Sequence, residues 1–246
     1  MVTLFFLGYI GWLAVSTVRR EWLRARDPAR YPVPRRLPSK VVRNLAGRQL
    51  LFVAVLGAAF ALGDWSWPSI GVPARIRWPE TLLAGEVGFA ALLLTYVAIL
   101  LATRRLAVMR RVATRGNLRL WPRRRRDKWI AAIAIMVFNP FVEEIVMRGI
   151  LIHHWALALG SPVLPIVVGC VLNGILHWYQ GWRMQVWHAL YFVVAVTLLY
   201  SPSGLPAAIF AHVFGDVIPI LTLRRSLRVV RKAHLKVLRE KLAKAA

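Results

Sequence analysis

The chain has 246 residues, 34 Lys and Arg against 10 Asp and Glu, and a formal charge of +24. It is nevertheless 58% hydrophobic with a mean hydropathy of +0.54. That pairing excludes disorder over most of the chain, and the single cysteine, Cys170, excludes a disulfide scaffold. What remains is an integral membrane protein in which charge and apolar mass occupy different places.

In chain order, apolar stretches alternate with basic blocks. Seven candidate spans are read at 1–18, 49–67, 81–102, 129–153, 162–179, 185–200 and 205–223, each tested against the roughly 20 apolar residues a spanning helix needs. The first is short and the sixth marginal. Thirty of the 34 basic residues lie in three blocks, Arg19–Arg48, Arg104–Lys128 and Arg224–Lys244; only Arg75, Arg77, Arg148 and Arg183 lie elsewhere. Seven spans put all three blocks on one side, which the positive-inside rule makes cytoplasmic. The predicted fold is therefore all-α, a polytopic transmembrane helix bundle with the N-terminus outside and the C-terminus cytoplasmic. Residues 1–18 lack a basic leader and run into Arg19 and Arg20, so they read as a retained anchor.

The basic blocks read as topology signals and contacts for anionic lipid headgroups. No nucleic-acid module accompanies them, so no nucleic-acid partner is expected. Pro28, Pro32, Pro34 and Pro38 predict an extended loop, and Trp65, Trp67 and Trp78 an aromatic belt at the outer interface. Residues 1–102 show no cluster of catalytic polar groups; Glu86 is the one candidate intramembrane charge there.

The second half differs. Charged groups in a membrane interior are costly and point to function. The fourth span carries Asn139-Pro140-Phe141-Val142-Glu143-Glu144, then Arg148 and Gly149. Glu143 lies about 14 residues past Trp129, roughly 20 Å along the helix. Glu144 and Arg148, four apart, share a face and can pair. Glu143 is turned about 100° away, has no local partner by spacing, and is the candidate base. Asn173 and His177 share a face of the fifth span, and His212 and Asp216 one of the seventh. Three helices can thus point Glu143, Asn173, His177, His212 and Asp216 into one interior. His153 and His154 read as interfacial, His188 as equally a cavity-edge or a packing residue, His234 as solvated in the tail, and Cys170 as a packing residue.

These residues resemble the CAAX protease and bacteriocin-processing (CPBP, or ABI) family of intramembrane endopeptidases, which includes the type II CAAX prenyl endopeptidases. Its Glu-Glu-x-x-x-Arg motif is met by Glu143, Glu144 and Arg148, with Pro140 and Gly149 in place. Its Phe-x-x-x-His motif is met at His177, with Asn173 replacing Phe. Its His-x-x-x-Asn motif is met at His212, with Asp216 replacing Asn, and the approach Ser203–Ala211 is also similar. The resemblance covers 128–223, which divides the chain into N-terminal helices with basic loops (1–127), a protease core (128–223) and a basic tail (224–246).

The resemblance implies hydrolysis of a peptide bond in a membrane-anchored protein or peptide. Glu143, oriented by His177, would activate a water; His212 and Asp216 would face the oxyanion or a metal; Glu144, Arg148 and Asn173 would support them. No cofactor is certain from these residues. His177, His212 and Asp216 could hold a divalent metal such as zinc. A metal-free glutamate protease is equally drawable and is preferred here, because no His-Glu-x-x-His motif is present. The two departures leave an altered cleft or an inactive member as alternatives, against which retention of Glu143 and both histidines speaks. Composition favours a bacterial inner membrane, where a maturation substrate fits better than a prenylated one. A transporter or an immunity protein that binds a peptide without cutting it are the competing classes.

Overall fold

In a computed structural model the described residues are 2–27, 39–62, 65–102, 127, 129–130, 133–134, 138–178 and 182–217. Among them the chain forms seven helices and no strand. They are α1 (Val2–Arg26), α2 (Ser39–Ala61), α3 (Trp78–Ala102), α4 (139–159), α5 (Val163–His177), α6 (Trp182–Leu199) and α7 (Gly204–Val217). The all-helical expectation holds. Six of the helices overlap the predicted spans closely enough to be matched one to one, and α4 matches the fourth. The proline loop, the block Arg104–Lys128 and the basic tail lie outside the described residues.

The lengths differ from the prediction. Among the described residues one helical stretch, Trp78–Ala98, is long and apolar enough to cross a bilayer alone. Ala46–Ala61, Val163–His177, Gln185–Leu199 and Gly204–Val217 are apolar but shorter. The cause is visible in the sequence. Polar residues that serve the interior interrupt the apolar runs, and α6 and α7 are joined by a short turn. At the other ends, α1 runs on through Arg19 and Arg20, and α2 begins ten residues before its predicted start.

Large apolar side chains nonetheless cover the outside. Leu82, Leu83, Val87, Leu93 and Leu94 of α3 and Val163, Leu164, Val167 and Val171 of α5 are exposed. Water-soluble monomers seldom show apolar patches so extended, whereas a lipid-facing surface requires them. Glu86 is exposed among these leucines on the outer face of α3. Cys170 is exposed as well and does not pack in the core.

The centre of the bundle is α4. It begins as ordinary helix over Asn139–Glu144, widens to i→i+5 bonding over Ile145–His154, and closes with Trp155–Leu159. Every residue from Ile145 to Ile152 is buried. Wide turns of this kind are rare and concentrate at functional sites. One core packs Phe52 and Leu56 of α2, Ile70, Phe192 and Leu199 of α6 and Leu205 of α7 against this helix. A second joins α3, α6 and α7 through Phe89, Leu92, Tyr191, Ala195, Ala207, Ala208 and Ala211. The small alanines let these helices approach closely, as helices in lipid require.

The segment before α3 is a fitted plug. Its turn Pro68–Ile70 lies against Gly149, where an added Cβ would stand 3.0 Å from the Ile70 carbonyl oxygen. The expected aromatic belt is corrected in part. Trp67 and Trp78 are exposed, but Trp65 is buried beside Phe60 and His154. His153 is also drawn in, with Nδ1 3.2 Å from the Ser69 carbonyl oxygen. The plug closes on α7, where the Leu205 N–H donates to the Gly71 carbonyl at 2.8 Å.

Gly204 makes that closure possible. Its φ is +59°, and a Cβ there would lie 2.4 Å from the Gly71 oxygen. Gly160 has a similar φ of +65° but open space around it. Gly160→Ala is expected to cost only the left-handed backbone penalty of roughly 1–2 kcal/mol. Gly204→Ala adds a backbone clash and is expected to lower the melting temperature in detergent clearly further, and equal losses in the two variants would refute the plug contact.

Candidate active site

The polar interior is built around one oxygen. Glu144 is fully buried on α4, and its Oε1 accepts the Tyr191 hydroxyl of α6 at 2.6 Å. The same atom lies 2.8 Å from Nδ1 of His212 on α7 and 3.3 Å from Nη1 of Arg148, one turn on along α4. The pairing expected of Glu144 and Arg148 is therefore present, and it recruits two further helices. Arg148 is also fully buried. Its guanidinium carbon sits 5.2 Å from the ring centres of both Tyr191 and Phe192, so aromatic faces take part in holding the cation. Buried ions cost several kcal/mol each to desolvate, and only mutual attraction and added hydrogen bonds offset that.

Glu143, the adjacent residue, has a different environment. Its side chain is 19% exposed where that of Glu144 is 0%. A water molecule can therefore reach Glu143 and cannot reach Glu144. Glu143 Oε1 lies 3.8 Å from His177 Nε2 on α5, too far for a direct hydrogen bond and suited to a contact shared with water. The expectation that Glu143 lacks a local partner is corrected. Asn139, one turn earlier, donates from Nδ2 to Glu143 Oε2 at 3.3 Å. The i, i−4 spacing carried that signal.

Both histidines are fixed through Nδ1 and present Nε2. His177 Nδ1 is 2.9 Å from the Asn173 carbonyl oxygen. A carbonyl only accepts, so this nitrogen carries the proton and Nε2 is the atom turned to Glu143. His212 Nδ1 is held by Glu144, and its Nε2 lies 3.9 Å from Asp216 Oδ2. Asp216 is the most open of the group at 32%.

Two residues that the sequence left undecided or unassigned belong here. His188 stacks on His177 with ring centres 3.8 Å apart, which places it at the edge of the site. Tyr191 links α6 to Glu144 and packs its ring 4.7 Å from His212. A lone tyrosine in an apolar helix has no local pattern that marks it. Asn173 is buried, and its Nδ2 donates to the His188 carbonyl at 3.4 Å, so it ties α5 to α6 and does not reach Glu143. Among the described residues no three His, Cys, Asp or Glu side chains gather as a metal-holding group. His177, His212 and Asp216 are not gathered as such a group.

Residues 125–218 match the family model described as type II CAAX prenyl endopeptidase Rce1-like, in agreement with the resemblance carried by the motifs. No curated protein and no solved structure matches the chain.

The buried ion pair yields a stability prediction. Glu144→Gln strands Arg148 and is expected to cost roughly 3–5 kcal/mol. Tyr191→Phe removes one hydrogen bond to a charged group, about 1.5–3 kcal/mol, and keeps the ring under Arg148. Melting of the purified variants in detergent should therefore rank wild type, then Tyr191→Phe, then Glu144→Gln; a Glu144→Gln protein as stable as wild type would remove Glu144 from its central place.

Proposed function

We propose that this chain is an intramembrane endopeptidase that hydrolyses a peptide bond of a membrane-associated protein through a water activated by Glu143. The observation that carries this reading is the contrast between two neighbouring carboxylates. Glu144 is sealed and engaged, while Glu143 is reachable and faces a pinned imidazole.

In this mechanism a water sits between Glu143 Oε1 and His177 Nε2. Glu143 takes a proton from it, and the oxygen attacks the scissile carbonyl carbon. The oxyanion that forms is met by the His212 Nε2–H. Glu144 on one side and Asp216 on the other bracket that ring with negative charge, an arrangement suited to holding it protonated. Glu143 then passes the proton to the leaving nitrogen as the C–N bond breaks. The base is regenerated, and one water is consumed for each bond cleaved.

The site lies toward one end of the bundle. It uses the start of α4, the end of α5, the start of α6 and the later turns of α7. In the chain, α4 follows the basic block 104–128 and α7 leads to the basic tail. With basic segments on the cytoplasmic side, seven spans and an outer N-terminus follow, and cleavage faces the cytoplasm. Composition supports a bacterial inner membrane. The family description names prenyl endopeptidases, so a prenylated tail is one substrate class; a sorting tail or leader of an unmodified membrane protein is the other. A transporter would need a polar path to both faces. Beyond Arg148 the residues that follow it and face it, Ile150, Leu151, Ile152, Leu199 and Leu205, are apolar and buried, which opposes that reading.

The test compares cells carrying wild type, Glu143→Gln and His212→Ala at equal expression, with membrane-protein termini mapped by mass spectrometry. The same precursors should accumulate uncut in both variants, with cleavage lowered by about 10²–10⁴-fold for loss of the base. Their chemistry, prenylated or not, identifies the substrate class. Unchanged termini in folded, abundant variants would overturn the protease reading.

A further inference from the structure

Helix α2 lies outside the matched domain, yet it contributes a buried amide to the site. α2 turns Leu50 and Leu51 outward, 61% and 63% exposed, and buries Gln49 at 6%. Burying an amide is costly unless it is hydrogen-bonded. The NH2 of Gln49 makes that bond across the bundle, with Nε2 3.2 Å from Asn139 Oδ1 on α4, while its Oε1 makes none among the described residues. Asn139 Nδ2 in turn donates to Glu143 Oε2.

The order of donors and acceptors along this path is forced. A carboxylate oxygen accepts, so Asn139 must turn its NH2 toward Glu143. Its Oδ1 then faces Gln49, which must present its own NH2. Reversing either amide would set two acceptors against each other. The path therefore fixes one oxygen of Glu143 and leaves the other, Oε1, for His177 and the water. α2 is itself braced by α1, since Arg48 Nη2 donates to the Tyr9 hydroxyl at 2.8 Å and Phe52 packs 5.1 Å from the Tyr9 ring.

We infer that Gln49 is a positioning residue for Glu143, acting through Asn139, and that orienting the base is a task of the N-terminal helices. This rests on the reading of Glu143 as the general base. Positioning acts on the chemical step, so its loss should lower kcat and leave KM in place.

The experiment uses the full chain purified in detergent, with the precursor that accumulates in Glu143→Gln cells as substrate. Gln49→Met keeps the length and removes the amide; its kcat is expected to fall about tenfold or more, the scale on which small misplacements of a reacting group act. Gln49→Glu reverses the path, because its carboxylate accepts from Asn139 Nδ2 and turns Oδ1 onto Glu143; its kcat should fall below that of Gln49→Met. Asn139→Ala should also lower kcat, and adding Gln49→Met to it should cost nothing further, since the two act in series. Wild-type kcat in both Gln49 variants, full additivity in the double variant, or an effect on KM alone would overturn the inference. So would loss of the folded state in both Gln49 variants, which would assign the residue to stability. A wild type that leaves every precursor uncut would instead withdraw the protease reading beneath it.

Discussion

The structure depends on keeping Glu144 and Arg148 inside the helix bundle. Neither can reach water, so each must be satisfied by the protein. One carboxylate oxygen meets part of that demand by gathering a guanidinium from its own helix, a phenol from α6 and an imidazole from α7. Glu144 Oε2 and the guanidinium nitrogens of Arg148 make no hydrogen bond among the described residues, so the cation is held by charge and aromatic faces. The requirement acts over distance. It fixes which face of α6 turns inward, how deep α7 sits, and where His212 is held. The wide helical turns that begin at Ile145 run through this point, and the residues around them are apolar and close-packed. A different arrangement of α6 or α7 would leave an ion buried without partners, which costs more than most single packing defects.

Two adjacent carboxylates on one helix thus serve different ends, and environment alone separates them. Glu144 is immobilised by contacts that leave it no access to a substrate. Glu143, turned to the next face, keeps an opening toward His177. A charged pair at the centre is what makes it possible to place a second, accessible carboxylate beside it, because the pair locks the helix that carries both. The imidazoles follow the same logic. Each spends Nδ1 on a fixed partner, so the free nitrogen has a defined position.

What the sequence made legible was local in origin. Apolar runs placed the seven helices, and four-residue spacing paired Glu144 with Arg148, Asn173 with His177 and His212 with Asp216. All of these arise within a single helix. Apart from Asn139 and Glu143, four apart on α4, the contacts that escaped detection join different helices. Gln49 meets Asn139 across 90 positions of chain and Tyr191 meets Glu144 across 47, and neither residue type is marked by its neighbours. Trp65 was expected at the interface because tryptophans cluster there, but a tight plug anchored at Gly71 and Gly204 draws it inward. Helix lengths misled for a related reason. Residues such as Gln49, Asn139 and Glu143 shorten an apolar run when the sequence is read linearly, and their cost disappears only once partners on other helices are known.

The two departures from the family motifs can be weighed on the same terms. Asn173 is turned to α6. Its amide is consumed between α5 and α6, and its carbonyl sets the tautomer of His177, a task of the backbone that any residue there could perform. Asp216 is the more consequential change. At 3.9 Å from His212 Nε2 it is beyond hydrogen-bond reach, so it acts on the ring by charge. An asparagine would offer a donor of its own at this position; an aspartate can instead reinforce a donor already present. The Asp216 side chain is the most open of the group at 32%. Under the proposed mechanism the substitution would leave the oxyanion to a single imidazole, and Glu144, which holds that imidazole from the other side, would be correspondingly harder to replace.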